Sequence, residues 1–283
     1  MAVSTAVCPS NAESGVFTRS LTKKHCQIPP PVYCQSTALT KVAIMSHKNK
    51  PQLGILGGLS WHSSAQYYTL INRGVEKALG YNHNPQILLH SLNFKDIAQL
   101  FKQKEAATKR IVEECQRLQE FGCDAILIAS NTVHFCYDAV MAQTDIPTLH
   151  IADAVGTSLT HHGHTTVALL GTRYTMNLGF YKNRLQQKQG IEVITPDSST
   201  KHYIDKVIYN ELVKGHVSPD SQSTFIKILE ALKSQGATAF IAGCTEIPLL
   251  FQNMEEALPL PMIDSTALHC QAAINWYLEQ IEP

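Results

Sequence analysis

Two short polar runs have the residue types for proton chemistry, Ser130-Asn131-Thr132 and Cys244-Thr245-Glu246. Each follows an apolar run of strand character, AILIA over 125–129 and AFIAG over 239–243. Residues just past the carboxyl ends of parallel strands face the crevice where ligands bind. A thiol at the start of a helix is expected to have a lowered pKa, because free backbone N–H groups and the helix dipole favour the anion. Cys244 is therefore expected to hold a usable fraction of thiolate. The bland alternative is a reduced cysteine packed as a core filler. It suits Cys115, Cys123, Cys136 and Cys270, which fall in or beside helical stretches, better than Cys244 between polar neighbours. A serine hydroxyl at position 130 can deliver a proton, but it becomes a base only as an alkoxide.

The two runs occupy equivalent places in a repeat. From Gly57, at the end of the first apolar run, to Ser130 is 130 − 57 = 73 residues, and from Gly171 to Cys244 is 244 − 171 = 73. The halves thus match at an offset of 114, which also pairs Tyr67 with Tyr181, Gly122 with Gly236 and Pro147 with Pro261. Agreement at a single offset points to internal duplication. Strands are predicted over 52–57, 86–91, 124–129, 147–150, 166–170, 191–194, 238–242 and 261–263. Helices are predicted over 62–79, 94–99, 104–121, 151–162, 175–188, 202–215, 219–235 and 265–281. This alternation implies an α/β fold of two similar lobes, each a parallel sheet flanked by helices and related by a pseudo-two-fold, with one site between them. Lobe 1 would take residues 51–149 plus 265–283, and lobe 2 residues 150–264. Gly57-Gly58 lets the chain approach a ligand closely, and Ser60 and Ser63 add hydroxyl donors at the same wall.

The 283 residues carry 23 Lys+Arg against 23 Asp+Glu, so the formal net charge is zero, and 44% are hydrophobic. A neutral chain lacks the basic excess that nucleic acid or an anionic membrane would reward, and no apolar run reaches the roughly 18 residues of a membrane span. Eight cysteines without a CxxC pair fit a reducing, cytoplasmic setting better than a disulfide scaffold. Residues 1–50 differ from the rest: Ser, Thr and Pro abound, Lys/Arg outnumber acids, and no apolar period runs through them. They read as a disordered tail, a targeting peptide or sequence upstream of a start at Met45, of which the last is favoured. His161, His162 and His164 form a cluster read as a solvated turn rather than a metal site, since no carboxylate or thiol has ligand spacing.

Four runs, GILGGLSWHSSAQYYTLIN (54–72), IASNTVH (128–134), LLGTRYT (169–175) and IAGCTEIPLL (241–250), resemble the aspartate/glutamate racemase family in order and spacing. The resemblance spans about residues 51–281. It implies an isomerase without pyridoxal phosphate or any other cofactor, which removes an α-proton on one face of an amino acid and returns it on the other. Family members with two cysteines place one in each lobe. The second maps onto Cys244, and the first maps onto Ser130. The match is closest to a branch with a hydroxyl residue at that position, and GGLSWHS and LHIADA (149–154) fit that branch too. Asn131, Thr132 and Thr245 then match a cradle for the substrate carboxylate, with Ser60 and Glu246 beside it. Lys214 matches a lysine that contacts a side-chain carboxylate, and its bland alternative is a solvated lysine near a helix end. The arginine of aspartate-specific members has no equivalent in LLHSLNF (88–94), which leaves glutamate or broader substrates open. His134, one helical turn beyond Ser130, could polarise that hydroxyl or simply pack.

Two rival functions keep the same scaffold. A decarboxylase of malonate type needs only one second-lobe thiol, and an amino-acid-binding protein without turnover needs none. The expected partner is a small-molecule amino acid, with neither nucleic acid nor membrane, and family members are often homodimers.

Overall fold

The structure, a computed structural model, describes residues 50–252 and 254–281. The leader expected over residues 1–50 falls outside the described residues apart from Lys50, and so do Cys8, Cys26 and Cys34. Eight strands form two four-stranded sheets, with every pair parallel. The first holds β1 (Gln52–Gly57), β2 (Gln86–Ser91), β3 (Ala125–Ile128) and β4 (Thr148–Leu149), in the order β2-β1-β3-β4. The second holds β5 (Thr166–Gly171), β6 (Glu192–Ile194), β7 (Ala239–Gly243) and β8 (Met262–Asp264), in the matching order β6-β5-β7-β8.

Register repeats along with order. Leu53 pairs with Ala125 in the first sheet and Val167 with Ala239 in the second, and 167 − 53 = 239 − 125 = 114. Ile126 with Thr148 and Phe240 with Met262 repeat the same offset. It slips only at β2 and β6, where Gln52 pairs with Gln86 but Thr166 with Glu192. The first half has eight more residues between those strands, within a long helix α1 (Trp61–Leu79).

Helices cover both faces of both sheets: α2 (Phe94–Leu100), α3 (Lys104–Glu120), α4 (Tyr137–Met141), α5 (Ile151–His161), α6 (Arg173–Asn177), α7 (Phe180–Gln189), α8 (Ser198–Asn210), α9 (Pro219–Ser234), α10 (Ile247–Leu250) and α11 (Ser265–Ile281). The central strands are accordingly apolar throughout. All four residues of β3 and all five of β7 are buried, as a parallel sheet clad on both sides requires. One face of the first sheet packs Leu53, Ile55 and Leu127 against Tyr67 and Ile71 of α1 and Ala273 and Tyr277 of α11. The other packs Leu56, Ile126 and Ile128 against Ile111, Cys115 and Leu118 of α3. The second sheet has its own core, centred on Phe225, Phe240 and Phe251, to which α5 contributes Ile151, Val155 and Leu159. Cys115, Cys123, Cys136 and Cys270 are all buried in these cores.

Two of the expected helical stretches, 175–188 and 202–215, differ in the structure. The stretch 175–188 is two helices, because Gly179 takes φ 74, a left-handed conformation that ends α6 and restarts the chain as α7. Helix α8 begins at Ser198 rather than 202, because the Asp197 carboxylate accepts from the backbone N–H groups of Ser199 and Thr200. It also ends early, at Asn210, and Leu212–Lys214 form a separate 3-10 turn.

Leu127 sits in the middle of the first sheet with no exposed surface. Leu127→Ala should lower stability by about 2–5 kcal/mol, the cost of a lost core side chain and the cavity it leaves. Urea unfolding would show this as a lower midpoint at unchanged slope.

Candidate active site

The carboxyl ends of β1, β3, β5 and β7 open onto one cavity of about 300 Å³. Ser130, Asn131 and Thr132 line it from the first sheet, and Cys244, Thr245 and Glu246 from the second, together with Ser60 and Ser63. Both polar runs singled out in the sequence therefore meet at the same void. Lys214 does not. It is exposed on the 3-10 turn outside the cavity wall, which its neighbour Val213 joins instead. The early end of α8 turns the lysine outward.

Each loop reaches across to the opposite half. The Thr132 hydroxyl contacts those of Thr172 and Thr175, at 2.9 and 3.0 Å, just beyond β5. On the other side, the Thr245 hydroxyl lies 2.6 Å from that of Ser63, and the Ser60 hydroxyl donates to Glu246 Oε1 at 3.2 Å. Ser60 also caps α1 by accepting from Ser63 N. Gly58 makes the turn into this helix possible. Its φ is 74, and a Cβ there would fall 2.0 Å from the carbonyl oxygen of Leu92.

Glu246 is buried and gathers three donors, because Cys244 Sγ donates to Oε2 at 2.9 Å and Thr245 Oγ1 to the same oxygen at 2.6 Å, besides Ser60. This overturns the expectation of a lowered thiol pKa. Burial pushes Cys244 well above the ordinary 9.0, and the adjacent negative charge of Glu246, which also accepts the thiol proton, pushes it further. The helix that was to stabilise a thiolate is the single turn of α10, beginning three residues later. With Glu246 accepting its proton, Cys244 is held as a thiol.

Ser130 is half-buried at the cavity wall, but His134 does not address its hydroxyl. His134 Nδ1 donates to the Ser130 carbonyl at 2.7 Å, and its Nε2 accepts from Ile151 N at 3.2 Å. Both ring nitrogens are engaged with backbone, so the histidine fixes the loop's path instead of polarising the serine. Burial lowers it to about 4. The His269 ring lies beside it at 5.4 Å, lowered by burial to about 3, with Nε2 donating to the Leu149 carbonyl and Nδ1 accepting from Tyr67. His150 caps α5 through Nδ1 and completes the cluster. Cys136 donates its thiol to the Val133 carbonyl, and burial pushes it up to about 12. Outside the site, His162 and His164 bond the Ser158 carbonyl and the Thr238 hydroxyl.

Among the described residues, two buried polar atoms at the cavity have no partner in the protein. Asn131 spends its Nδ2 on Ser265 Oγ at 3.0 Å, while its Oδ1 is unpaired, and so is the hydroxyl of Thr266. A buried unpaired polar atom costs about 1–3 kcal/mol, and both of these belong to residues that line the cavity. Sequence reasoning missed Thr266, although it lies only two residues beyond the last strand. It also missed the aromatic wall of Trp61, Phe94, Phe101 and Tyr209, which comes from helices rather than from strand-end loops.

A family model described as Asp/Glu/Hydantoin racemase matches residues 56–273. The chain belongs to the Asp/Glu/hydantoin racemase family. That membership makes it an isomerase, an amino-acid racemase. The racemase chain is 24% identical over 233 residues to the broad specificity amino-acid racemase RacX of Bacillus subtilis (strain 168), covering 80% of this chain and 98% of that one. It also resembles the crystal structure of a Yersinia pestis protein assigned to the Asp/Glu racemases, at 38% identity and a TM-score of 0.75, over 81% of this chain and 99% of the other. An aspartate racemase homologue from Pyrococcus horikoshii OT3 matches at 28% identity and a TM-score of 0.69, over 81% and 100%. None of the described helices is long and apolar enough to cross a membrane.

Two measurements follow from this electrostatics. Alkylation of Cys244 by iodoacetamide, followed by peptide mass, should be slow at pH 7, and Glu246→Gln should move its pH dependence to lower pH by removing the negative charge. Because His134 and His269 are neutral when folded but protonate below 6.5 when unfolded, the unfolded chain binds more protons as pH falls from 6.5 towards 4. Stability should therefore drop across that window by roughly 1.4 kcal/mol per pH unit for each histidine, read as a falling urea midpoint. His134→Gln should flatten the dependence.

Proposed function

We propose that the protein is a cofactor-independent amino-acid racemase in which Cys244 and Ser130 serve opposite faces of the substrate α-carbon. The observation that carries this reading is that the two residues, 114 positions apart at equivalent strand ends, line one cavity. The substrate's α-ammonium would donate to Asn131 Oδ1, and the carboxylate would take hydroxyl donors of the strand-end loops. Bringing a cation into the cavity favours the anionic form of the nearby thiol. The Cys244 proton then has a ready acceptor in Glu246 Oε2, to which it already points. The thiolate removes the α-proton from one face, leaving a carbanion stabilised by the adjacent carboxylate. The Ser130 hydroxyl returns a proton to the other face, and water relays the proton held on Glu246 to the serine oxygen, which restores the carboxylate and the hydroxyl together.

The two directions are unequal. Starting from the opposite enantiomer, Ser130 must act as the base, and an alkoxide is far less accessible than a thiolate at neutral pH. The enzyme would consume one enantiomer faster than its mirror image. The relation to RacX of Bacillus subtilis, named for broad specificity, supports a substrate range beyond one amino acid.

Incubating single enantiomers in heavy water tests this reading through deuterium uptake at Cα and the optical form of the product. Cys244→Ala should lower exchange by roughly 10²–10⁴-fold. Ser130→Cys should bring the rates from the two enantiomers closer together. Absence of exchange across a broad panel would remove the racemase reading, and carbon dioxide release from malonates in its place would establish the decarboxylase alternative.

A further inference from the structure

We infer that the side chain of the physiological substrate is uncharged and apolar or aromatic, not a second carboxylate. This inference rests on the racemase reading above. The cavity wall is divided by origin. The strand-end loops supply the hydroxyls and the amide that suit the two polar groups every amino acid shares. The remaining wall is made mostly by Trp61 at the start of α1, Phe94 and Phe101 at the two ends of α2, Ile208 and Tyr209 on α8, and Val213 on the 3-10 turn, with the His62 imidazole beside Trp61 as its polar member. These are apolar surfaces in position to cover whatever extends from the α-carbon.

Charge points the same way. Among the described residues the wall holds no lysine or arginine, and its acidic side chain is Glu246, already bonded to Ser60, Cys244 and Thr245. A distal carboxylate would enter a space with no lysine or arginine partner and with a negative charge nearby, so its lost hydration would be poorly compensated. An apolar side chain would instead cover aromatic surface that is now open, since Trp61 is 67% exposed and Phe94 37%. Lys214, the cation that sequence alone offered for an acidic side chain, lies outside this wall.

Near-isosteric pairs isolate the effect of charge: leucine against aspartate and methionine against glutamate, each as single enantiomers. Cα deuterium exchange by the full chain should favour the apolar member of each pair by about a hundredfold or more in kcat/KM, as expected when a buried charge goes unpaired. Val213→Arg, at a partly exposed wall position, places a cation on the apolar side and should narrow that ratio by at least about tenfold, through gain with glutamate and loss with methionine. A wild-type preference for aspartate or glutamate would overturn the inference while leaving the racemase reading intact. So would acidic exchange that disappears in Lys214→Ala. Absence of exchange from all four amino acids sinks the racemase reading itself. In that case calorimetric binding of methionine and glutamate still decides the side-chain class, and tighter binding of glutamate counts against it.

Discussion

The site depends on a reciprocal set of hydrogen bonds in which each half of the molecule holds the other's working loop. Thr132 reaches Thr172 and Thr175 beyond the second sheet's first strand, and Thr245 and Glu246 reach Ser63 and Ser60 beyond the first sheet's. Short hydroxyl contacts of this kind fix direction as well as distance. They set Ser130 and Cys244 at one cavity, where the Cys244 thiol keeps its bond to Glu246. The strand register behind the loops serves the same end. Because both sheets repeat at 114, a loop on one side has its counterpart at the same depth on the other.

Within that frame, protonation is controlled by burial and not by helix dipoles. The turns after Ser130 and Cys244 are short, and neither supplies the field that a long helix would. What Cys244 meets instead is a buried carboxylate that accepts its proton. A thiol held this way is a poor base and is slow to oxidise or to be alkylated, and in the proposed mechanism it gains acidity from the substrate ammonium.

Much of this was legible in the residues. The strands could be placed because buried parallel strands are apolar along their whole length, as in AILIA and AFIAG. The pairing of Ser130 with Cys244 followed from equal spacings of 73 and needed no geometry. What was not legible depended on single side chains acting at long range. The Asp197 cap moved the start of α8 by four residues, and the left-handed turn at Gly179 split a helix that pattern alone reads as continuous. His134 was read for its distance from Ser130, but its second partner is the backbone of Ile151, seventeen residues away, which turns a candidate catalyst into a brace. The Cys244 thiol was misread for the same reason, since the direction taken by Glu246 is a tertiary fact.

The helices α5 and α11 begin 114 residues apart, and each is capped by the residue before it: His150 accepts from Ala152 N, and Asp264 from Thr266 N. One cap is a neutral imidazole and the other a carboxyl group, yet both hold the same geometry. A doubled architecture of this kind separates shape from chemistry. Once the backbone fixes where a repeated position lies, its two copies are free to take different side chains, as serine opposes cysteine at 130 and 244 and threonine opposes glutamate at 132 and 246. Symmetry in the scaffold thus leaves room for handedness in the site, since in the proposed mechanism a mirror-related pair of substrates would meet two walls alike in form and unlike in reactivity.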